Sequence, residues 1–331
     1  MKKIALEEHF HFPDMIARIG KDRIAARGWP SGDAVSPSMK GGNELLADLE
    51  EKRLQSMDES GITMQVLSAA GPGADLLPPD EAIPFAREYN DRLKKLVDAH
   101  PARFAGFAHL PVTSPDAAAA ELERAVTGLQ FRGALINGTT DGLFLDHESY
   151  APLLQKAEQL DVPLYLHPSF PPPAVREAYY GGLKPAVGSA LASAAFGWHA
   201  EVAIHILRLY ASGTLDRYPH LQLIIGHMGE MLPFMMYRTE AVLPKSLTGV
   251  GRTFSEVLRS QVHITTSGLF TVPPLRTAID TFGTDRILFS VDYPFSDNRQ
   301  GKAFIDSLPI AMEDVERIAF RNAARLLKID I

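Results

Sequence analysis

The sequence lacks cysteine altogether. Disulfides and thiolate metal sites are therefore excluded, any bound metal must take oxygen and nitrogen ligands, and a cytoplasmic location is the expectation. Positive charge is also scarce, since 33 Lys and Arg against 40 Asp and Glu give a net charge of -7 without a basic block. A nucleic-acid partner normally requires a clustered basic surface, so that class of partner is disfavoured.

Long apolar runs are missing as well. No run approaches the about 20 residues that span a bilayer. The pair Glu7-Glu8 interrupts the apolar segment that a signal peptide would need near the N-terminus. We therefore expect no membrane partner. What remains, 46% hydrophobic and 22% charged residues, is the composition of a globular protein with material for a large core.

Eight short apolar runs alternate with amphipathic stretches along the whole sequence. The runs are almost continuously apolar, as expected of strands that are covered on both faces. Strand followed by helix, eight times over, predicts an α/β fold of the (β/α)8 TIM-barrel type as one domain spanning residues 1–331; a doubly wound open sheet is the alternative, since periodicity does not prove closure. The predicted strands are Ile4–His9, Ile62–Leu67, Phe104–Leu110, Phe131–Asn137, Val162–His167, Leu221–His227, Val262–Thr266 and Arg286–Asp292.

Two insertions interrupt the alternation. Phe12–Asn43, rich in Gly, Pro and Ser, follows strand 1, and Pro168–Gly197 follows strand 5. In a barrel, the loops after the strands lie over the C-terminal face, where function is concentrated. We therefore expect both insertions to contact the substrate.

Polar residues end four of the predicted strands. Glu7 and His9 close strand 1, His167 strand 5, His227 strand 6 and Asp292 strand 8. A single histidine in such a place is more often a hydrogen-bonded structural residue, but five polar residues at matching strand ends predict a shared site. Buried carboxylates need a counter-charge, which a divalent cation supplies. Oxygen and imidazole ligands suit zinc, manganese or iron(II) better than magnesium.

The ligand pair on strand 1 has two readings. Residues 7, 9 and 11 share a parity, and their side chains therefore share one face of a strand. The pair is either Glu7 with His9 or His9 with His11, and strand geometry alone leaves both open.

Five stretches carry a resemblance to a known family. The sequence resembles the amidohydrolase superfamily, and within it the branch of nonoxidative hydroxybenzoate decarboxylases, similar to γ-resorcylate and 2,3-dihydroxybenzoate decarboxylases. The Glu-x-His form of the first stretch favours Glu7 and His9 as ligands and leaves His11 open. The stretches are Ala5–Phe10 (ALEEHF), Leu164–Pro168 (LYLHP), Ile225–Glu230 (IGHMGE), His263–Gly268 (HITTSG) and Ile287–Pro294 (ILFSVDYP).

The resemblance implies a one-metal site. A single divalent ion, zinc or manganese, would be bound by Glu7, His9, His167 and Asp292, with His227 beside it. Strand 4 ends at Asn137 and offers no lysine or glutamate to bridge a second metal.

Further residues are expected around the metal. By resemblance, Arg238 binds the anionic groups of the substrate, and Phe295 stacks on its ring. Glu230 either orients His227 or is an acid favoured by a helix N-terminus. Asn137 either contacts the substrate or fixes its own loop.

Three histidines are assigned outside the ligand set. His199, next to Trp198, is a candidate for lining the pocket. His205 is expected to be a buried, hydrogen-bonded histidine, and His263 to lie at the opposite end of its strand from the site.

The implied reaction is nonoxidative decarboxylation of a hydroxybenzoate-type acid, with Asp292 protonating the ring and a small aromatic carboxylate as partner. The alternative keeps the same residues and has metal-bound water hydrolyse a lactone or amide. A metal-stabilised binding protein is a third possibility, disfavoured because it would not need His227 and Arg238 beside the ligands. The family habit predicts a homodimer or homotetramer.

Overall fold

The structure, a computed structural model, describes residues 1–35 and 42–330, so part of the insertion Phe12–Asn43 lies outside the described residues. Each of the eight predicted strands is present, although most are shorter than predicted. The described strands are β1 (Ile4–Phe10), β2 (Met64–Ala69), β3 (Phe104–Gly106), β4 (Ala134–Asn137), β5 (Leu164–His167), β6 (Leu223–Ile225), β7 (Val262–Thr265) and β8 (Ile287–Leu288).

The strands form two parallel sheets, and the fold is therefore α/β as predicted. One sheet has the order β1-β2-β3 and the other the order β4-β5-β6-β7-β8. Backbone hydrogen bonds also cross between the sheets. Between β3 and β4, the Ala108 N–H donates to the Gly133 carbonyl at 2.8 Å, and between β8 and β1 the His9 N–H donates to the Tyr293 carbonyl at 2.7 Å.

Helices cover the outer faces of the sheets. Many begin with proline in the first turn, where its missing N–H costs no hydrogen bond. The predicted helix that begins with Ser114-Pro115 is found at Pro115–Thr127. The longer described helices are Pro13–Ile19, Lys21–Arg27, Glu51–Ser60, Pro79–Ala99, Pro115–Thr127, Ala151–Leu160, Pro173–Tyr180, Pro185–Ala192, Gly197–Ala211, Leu232–Val242, Phe254–Gln261, Val272–Phe282, Asn298–Asp306 and Asn322–Leu327; short ones are Asn43–Ala47, Thr214–Arg217, Lys245–Thr248 and Met312–Glu316.

Buried side chains form two layers. An inner cluster is built from strand residues such as Leu6, Val66, Phe107, Tyr165 and Ile224. An outer cluster lies between the strands and the helices. Because the inner cluster fills the space among the strands, room for a ligand is left at their carboxyl ends.

One stretch, Pro185–Ala211, is long and apolar enough to cross a membrane by length and mean hydropathy, although no apolar run of that length was predicted. The structure divides it into the helices Pro185–Ala192 and Gly197–Ala211, and it contains the charged residues Glu201 and Arg208. A single such stretch is weak evidence for a membrane span.

Candidate metal centre and pocket

A bulge in β1 places Glu7 at the carboxyl ends of the strands. Ala5 pairs with Gln65 and Glu8 with Leu67, so Leu6 and Glu7 both lie opposite the one residue between them on β2. Leu6 joins the inner core, whereas Glu7 and His9 form a cluster with His167 whose candidate ligand atoms all lie within 4.8 Å of one another. In a regular strand, the adjacent residues Leu6 and Glu7 would point to opposite faces. The extra residue of the bulge allows Leu6 in the core and Glu7 in the cluster to lie on the same face of β1.

The two oxygens of the buried Glu7 carboxylate have different surroundings. Oε2 accepts hydrogen bonds from the hydroxyls of Tyr165, Ser267 and Thr265. Oε1 has no hydrogen-bond partner among the described residues, although it is buried. Its neighbours are His167 Nε2 at 3.5 Å and His9 Nε2 at 4.0 Å.

Both imidazoles can direct an unprotonated ring nitrogen towards the space beside this oxygen. His167 Nδ1 lies 2.9 Å from Asn137 Oδ1, an acceptor, so this nitrogen carries the proton and Nε2 is free of one. Burial lowers the pKa of His167 well below its usual value, and the nearby His9 lowers it further, which keeps it neutral. His9 Nδ1 is 3.2 Å from Ser68 Oγ, and its buried Nε2 has no hydrogen-bond partner in the described part of the chain. Oxygen and nitrogen atoms that have free lone pairs and converge in this way are suitable ligands for a divalent cation.

Asp292 lies beside this cluster, in the segment that follows β8. Its Oδ1 lies 3.3 Å from His9 Nε2, and its Oδ2 lies 3.8 Å from His227 Nε2. The backbone of Asp292 has φ +72°, a conformation that is costly for a residue with a side chain and is typical of functional sites. Burial alone would raise the pKa of Asp292, but the neighbouring imidazoles of His227 and His9 hold it below its usual range.

A left-handed turn follows β6. Residues 227–231 all have positive φ, and four of them are not glycine. The turn brings Glu230 Oε1 to 2.7 Å from His227 Nδ1 and Oε2 to 2.6 Å from His199 Nδ1. A positive φ at a residue other than glycine costs of order 1–3 kcal/mol. The hydrogen bonds of Glu230 to both imidazoles help to hold the turn in this conformation.

The charges of this second cluster favour a protonated His227. Burial opposes ionisation of Glu230, but His227 and His199 outweigh it and lower the pKa of Glu230 to about 2. Burial likewise lowers the pKa of His227, while the charges of Glu230 and Glu7 and the nearby Asp292 carboxylate raise it well above the usual value. The neighbouring carboxylates thus favour the imidazolium form of His227, and the neighbouring imidazoles favour the ionised form of Asp292.

Both clusters border one cavity of about 220 Å³, which has room for a single aromatic ring. Its walls combine polar groups at the strand ends with apolar and aromatic side chains from the segments that follow β1 and β5. The lining residues are His9, Trp29, Ala70, Gly71, His167, Ala194, Trp198, His199, His227, Gly268, Leu269, Asp292, Phe295 and Ser296.

Comparison with known proteins identifies the family. Residues 7–329 match the amidohydrolase family. This chain belongs to the amidohydrolase family. The match begins at Glu7 and ends near the C-terminus, so it includes the strand-end residues of both clusters.

Relatives within the amidohydrolase family align end to end. The γ-resorcylate decarboxylase of a Rhizobium species is 38% identical, covering 99% of this chain and 98% of the relative. A solved 2,6-dihydroxybenzoate decarboxylase in complex with 2,6-dihydroxybenzoate is 37% identical with a TM-score of 0.85, over 99% of each chain. The dihydroxybenzoic acid decarboxylase of Polaromonas, solved with manganese and the inhibitor 2-nitroresorcinol, is 34% identical with a TM-score of 0.86, over 99% of this chain and 97% of that one. The predicted resemblance is confirmed.

Four predicted residues are placed in this amidohydrolase as follows. Phe295 lines the cavity, its ring 6.0 Å from that of His9. Asn137 orients His167 and is not among the described residues that line the cavity. Arg238 is exposed on the helix Leu232–Val242, outside the cavity. His11 is partly buried, lies outside the Glu7 cluster and donates its backbone N–H to Leu46.

Other site residues were not predicted from the sequence. Tyr165 and Thr265 lie within predicted strands, where a hydroxyl among apolar residues could have signalled a buried acceptor. Ser267 stood in the quoted stretch His263–Gly268 without a role. No sequence pattern indicates the hydrogen bond between His199 and Glu230, because it joins a helix to a turn 31 residues later in the chain. Trp29 was not singled out within its insertion.

His205 gives a prediction outside the site. Its buried Nε2 accepts the Leu145 N–H at 3.0 Å, and burial lowers its pKa to about 4. Below pH 6.5 the unfolded chain binds a proton here that the folded chain does not, so this contribution to stability is present above pH 6.5 and lost towards pH 4. The loss is about 1.4 kcal/mol per pH unit.

Urea denaturation of wild type and His205→Gln at pH 7 and pH 5 measures this effect. Glutamine can still accept the Leu145 N–H but does not titrate. We expect the stability advantage of the wild type to shrink by about 2 kcal/mol at pH 5. A difference that stays the same at both pH values would contradict a neutral His205.

Proposed function

We propose that this amidohydrolase is a metal-dependent nonoxidative decarboxylase that releases carbon dioxide from a hydroxybenzoate-type aromatic acid. One observation carries the proposal: the cavity is lined by His9 and His167, whose ring nitrogens converge with the unpaired Glu7 oxygen, and also by His227 and Asp292, whose Nε2 and Oδ2 atoms lie 3.8 Å apart. Full-length relatives that are named for this reaction support decarboxylation over hydrolysis.

One divalent ion, manganese or zinc, is the proposed cofactor. Glu7, His9, His167 and Asp292 are the residues that would hold it, because their free oxygen and nitrogen atoms converge. When bound, such an ion orients the carboxylate and phenolic oxygen of the substrate and stabilises their negative charge.

The proton is the central requirement of the reaction. The ring carbon that carries the carboxylate must be protonated before the carbon–carbon bond breaks, because the electron pair of that bond then returns to restore the aromatic ring. In the proposed mechanism, His227 passes its proton through the Asp292 carboxyl to this carbon, and carbon dioxide leaves. Glu230 fixes His227 Nδ1, so that Nε2 faces Asp292.

We further infer that the two sheets close into one (β/α)8 barrel, with insertions after strands 1 and 5, and that residues 1–331 form a single domain. The hydrogen bonds between β3 and β4 and between β8 and β1 support closure. A cytoplasmic location without a membrane partner stays a prediction.

A homodimer or homotetramer is proposed on the evidence of an exposed apolar face. On the helix Leu232–Val242, Phe234 is 81% exposed and Tyr237 61% exposed, and Met235 is beside them. Association of a second copy would cover these side chains. Arg238 lies on the same helix. Its proposed contact with the substrate therefore requires that the helix of one copy lies beside the cavity of another copy.

The proposed reaction is tested with the purified, manganese-loaded protein. A panel of hydroxybenzoates is assayed for carbon dioxide release, and a panel of lactones for acid production. We expect carbon dioxide from at least one hydroxybenzoate, and none after the metal is removed with a chelator. Lactone turnover without carbon dioxide from any phenolic acid would establish the hydrolase alternative instead.

A further inference from the structure

The two tryptophans of this chain lie at the same cavity. The sequence contains only Trp29 and Trp198, and both line the cavity of the proposed active site. Trp29 lies in the insertion after β1, and Trp198 directly follows the insertion after β5, at the start of the helix Gly197–Ala211. Phe170 lies between them, with its ring centroid 5.3 Å from that of Trp29 and 5.5 Å from that of Trp198.

Both indole N–H groups lack an acceptor. The Nε1 atoms of Trp29 and Trp198 are buried and have no hydrogen-bond partner among the described residues. A buried donor without a partner costs about 1–3 kcal/mol, and native proteins rarely leave such groups unsatisfied. Indole is a donor only, so the missing partner must be an oxygen or another acceptor.

Trp29 is held firmly in its place. Arg27 donates to the Phe170 carbonyl, and Arg176 donates to the Gly28 carbonyl, so each insertion binds the backbone of the other. Gly28 has φ +104°, and a Cβ on it would lie 1.9 Å from Arg176 Nη1. An added Cβ on Gly71 would lie 2.9 Å from the Trp29 ring. The Trp29 ring therefore packs directly against Gly71, and the backbone before it is bound to the other insertion.

We propose that the N–H groups of Trp29 and Trp198 recognise an oxygen substituent on the aromatic ring of the substrate, in addition to the carboxylate and phenolic oxygen at the metal. The inference rests on the proposed function and narrows the substrate class to dihydroxybenzoates over monohydroxybenzoates. A hydroxyl suits this place better than a second charge, because Phe170 packs against both indole rings and the cavity is also lined by Leu269 and Phe295.

A pair of probes isolates this contact. 2-Nitroresorcinol and 2-nitrophenol differ by one hydroxyl, and neither has a carboxylate to lose. Their affinities for the manganese-loaded wild type, Trp29→Phe and Trp198→Phe are measured by titration calorimetry. In at least one variant we expect about 5- to 10-fold weaker binding of 2-nitroresorcinol, the value of one hydrogen bond, with less than 2-fold change for 2-nitrophenol.

The control variant is Phe295→Leu, which alters an aromatic wall of the same cavity without removing a donor. It should weaken both probes to the same extent. Three results would each overturn the inference: neither tryptophan variant weakens 2-nitroresorcinol, both probes weaken equally in the variants that respond, or the wild type does not bind 2-nitroresorcinol.

A measurement on the wild type does not depend on the variants folding. Protein labelled with ¹⁵N-tryptophan and loaded with zinc should give two indole N–H signals. We expect 2-nitroresorcinol to move at least one indole proton downfield and to slow its exchange with water, and 2-nitrophenol to leave that signal nearly unchanged. Two signals that respond alike to both probes would contradict the proposal.

These experiments separate the two levels of inference. A tryptophan variant could weaken 2-nitroresorcinol selectively while no hydroxybenzoate releases carbon dioxide. That result would refute the proposed reaction and retain the recognition of the hydroxyl. Carbon dioxide release without such coupling would retain the reaction and refute the role of the tryptophans.

Discussion

Asp292→Asn is expected to lower kcat for decarboxylation by about 10²–10⁴-fold, the range that a general acid contributes. Asparagine keeps the shape of the side chain and one carbonyl oxygen, but it cannot pass a proton from His227 to the ring carbon. Carbon dioxide release is measured at saturating metal and substrate, so that weaker binding alone does not cause the loss.

A matched control is Asp280→Asn, which changes an exposed aspartate on the helix Val272–Phe282. Its kcat should stay within about 2-fold, since surface substitutions rarely perturb a protein. If Asp292→Asn recovers full activity as the metal concentration rises, Asp292 serves only to bind the metal. Near-normal activity at every metal concentration would remove it from the site altogether.

Glu7→Gln is expected to have opposite effects on metal binding and on the stability of the metal-free protein. The affinity for manganese should fall by at least about 100-fold, beyond the range for residues that only support a ligand. The Tm of the metal-free protein should rise, because burial raises the pKa of Glu7 and a neutral amide is cheaper to bury than a carboxylate. Its NH₂ could also donate to His9 or His167.

Thermal denaturation with a chelator and with excess manganese, together with titration calorimetry, measures both effects. Glu8→Gln is the control, because Glu8 is the adjacent, equally buried carboxylate and accepts the Val291 N–H instead of facing the cluster. Glu8→Gln should retain manganese affinity within about 10-fold. Equal stabilisation of wild type and Glu7→Gln by manganese would exclude Glu7 as a ligand.

The alternation of strands and helices was readable from the sequence. Buried parallel strands must be apolar throughout, so residues such as His167 and His227, which directly follow apolar runs, were conspicuous. The Glu-x-His stretch at Glu7 then indicated the family, and the absence of cysteine restricted the ligands to oxygen and nitrogen.

Strand lengths were overestimated for a physical reason. An apolar run in the sequence indicates burial, but a strand also requires backbone hydrogen bonds to its neighbours. The residues that follow Ile225 and Leu288 are buried but are not paired with a neighbouring strand. The left-handed turn at residues 227–231 has no signal in the sequence, because four of its members are residues that normally avoid positive φ.

The sequence by itself determined which strand each candidate ligand ends or follows, because each comes at the end of an apolar run. The two-residue period of a strand also placed Glu7 and His9 on one face. Only the tertiary structure decided how that face meets the core. Strict alternation from Leu6 would direct Glu8 to the cluster, and the bulge directs Glu7 there instead. It also decided that Arg238 lies outside the cavity and that Trp29 and Trp198 share it, because both outcomes depend on contacts between segments distant in the chain.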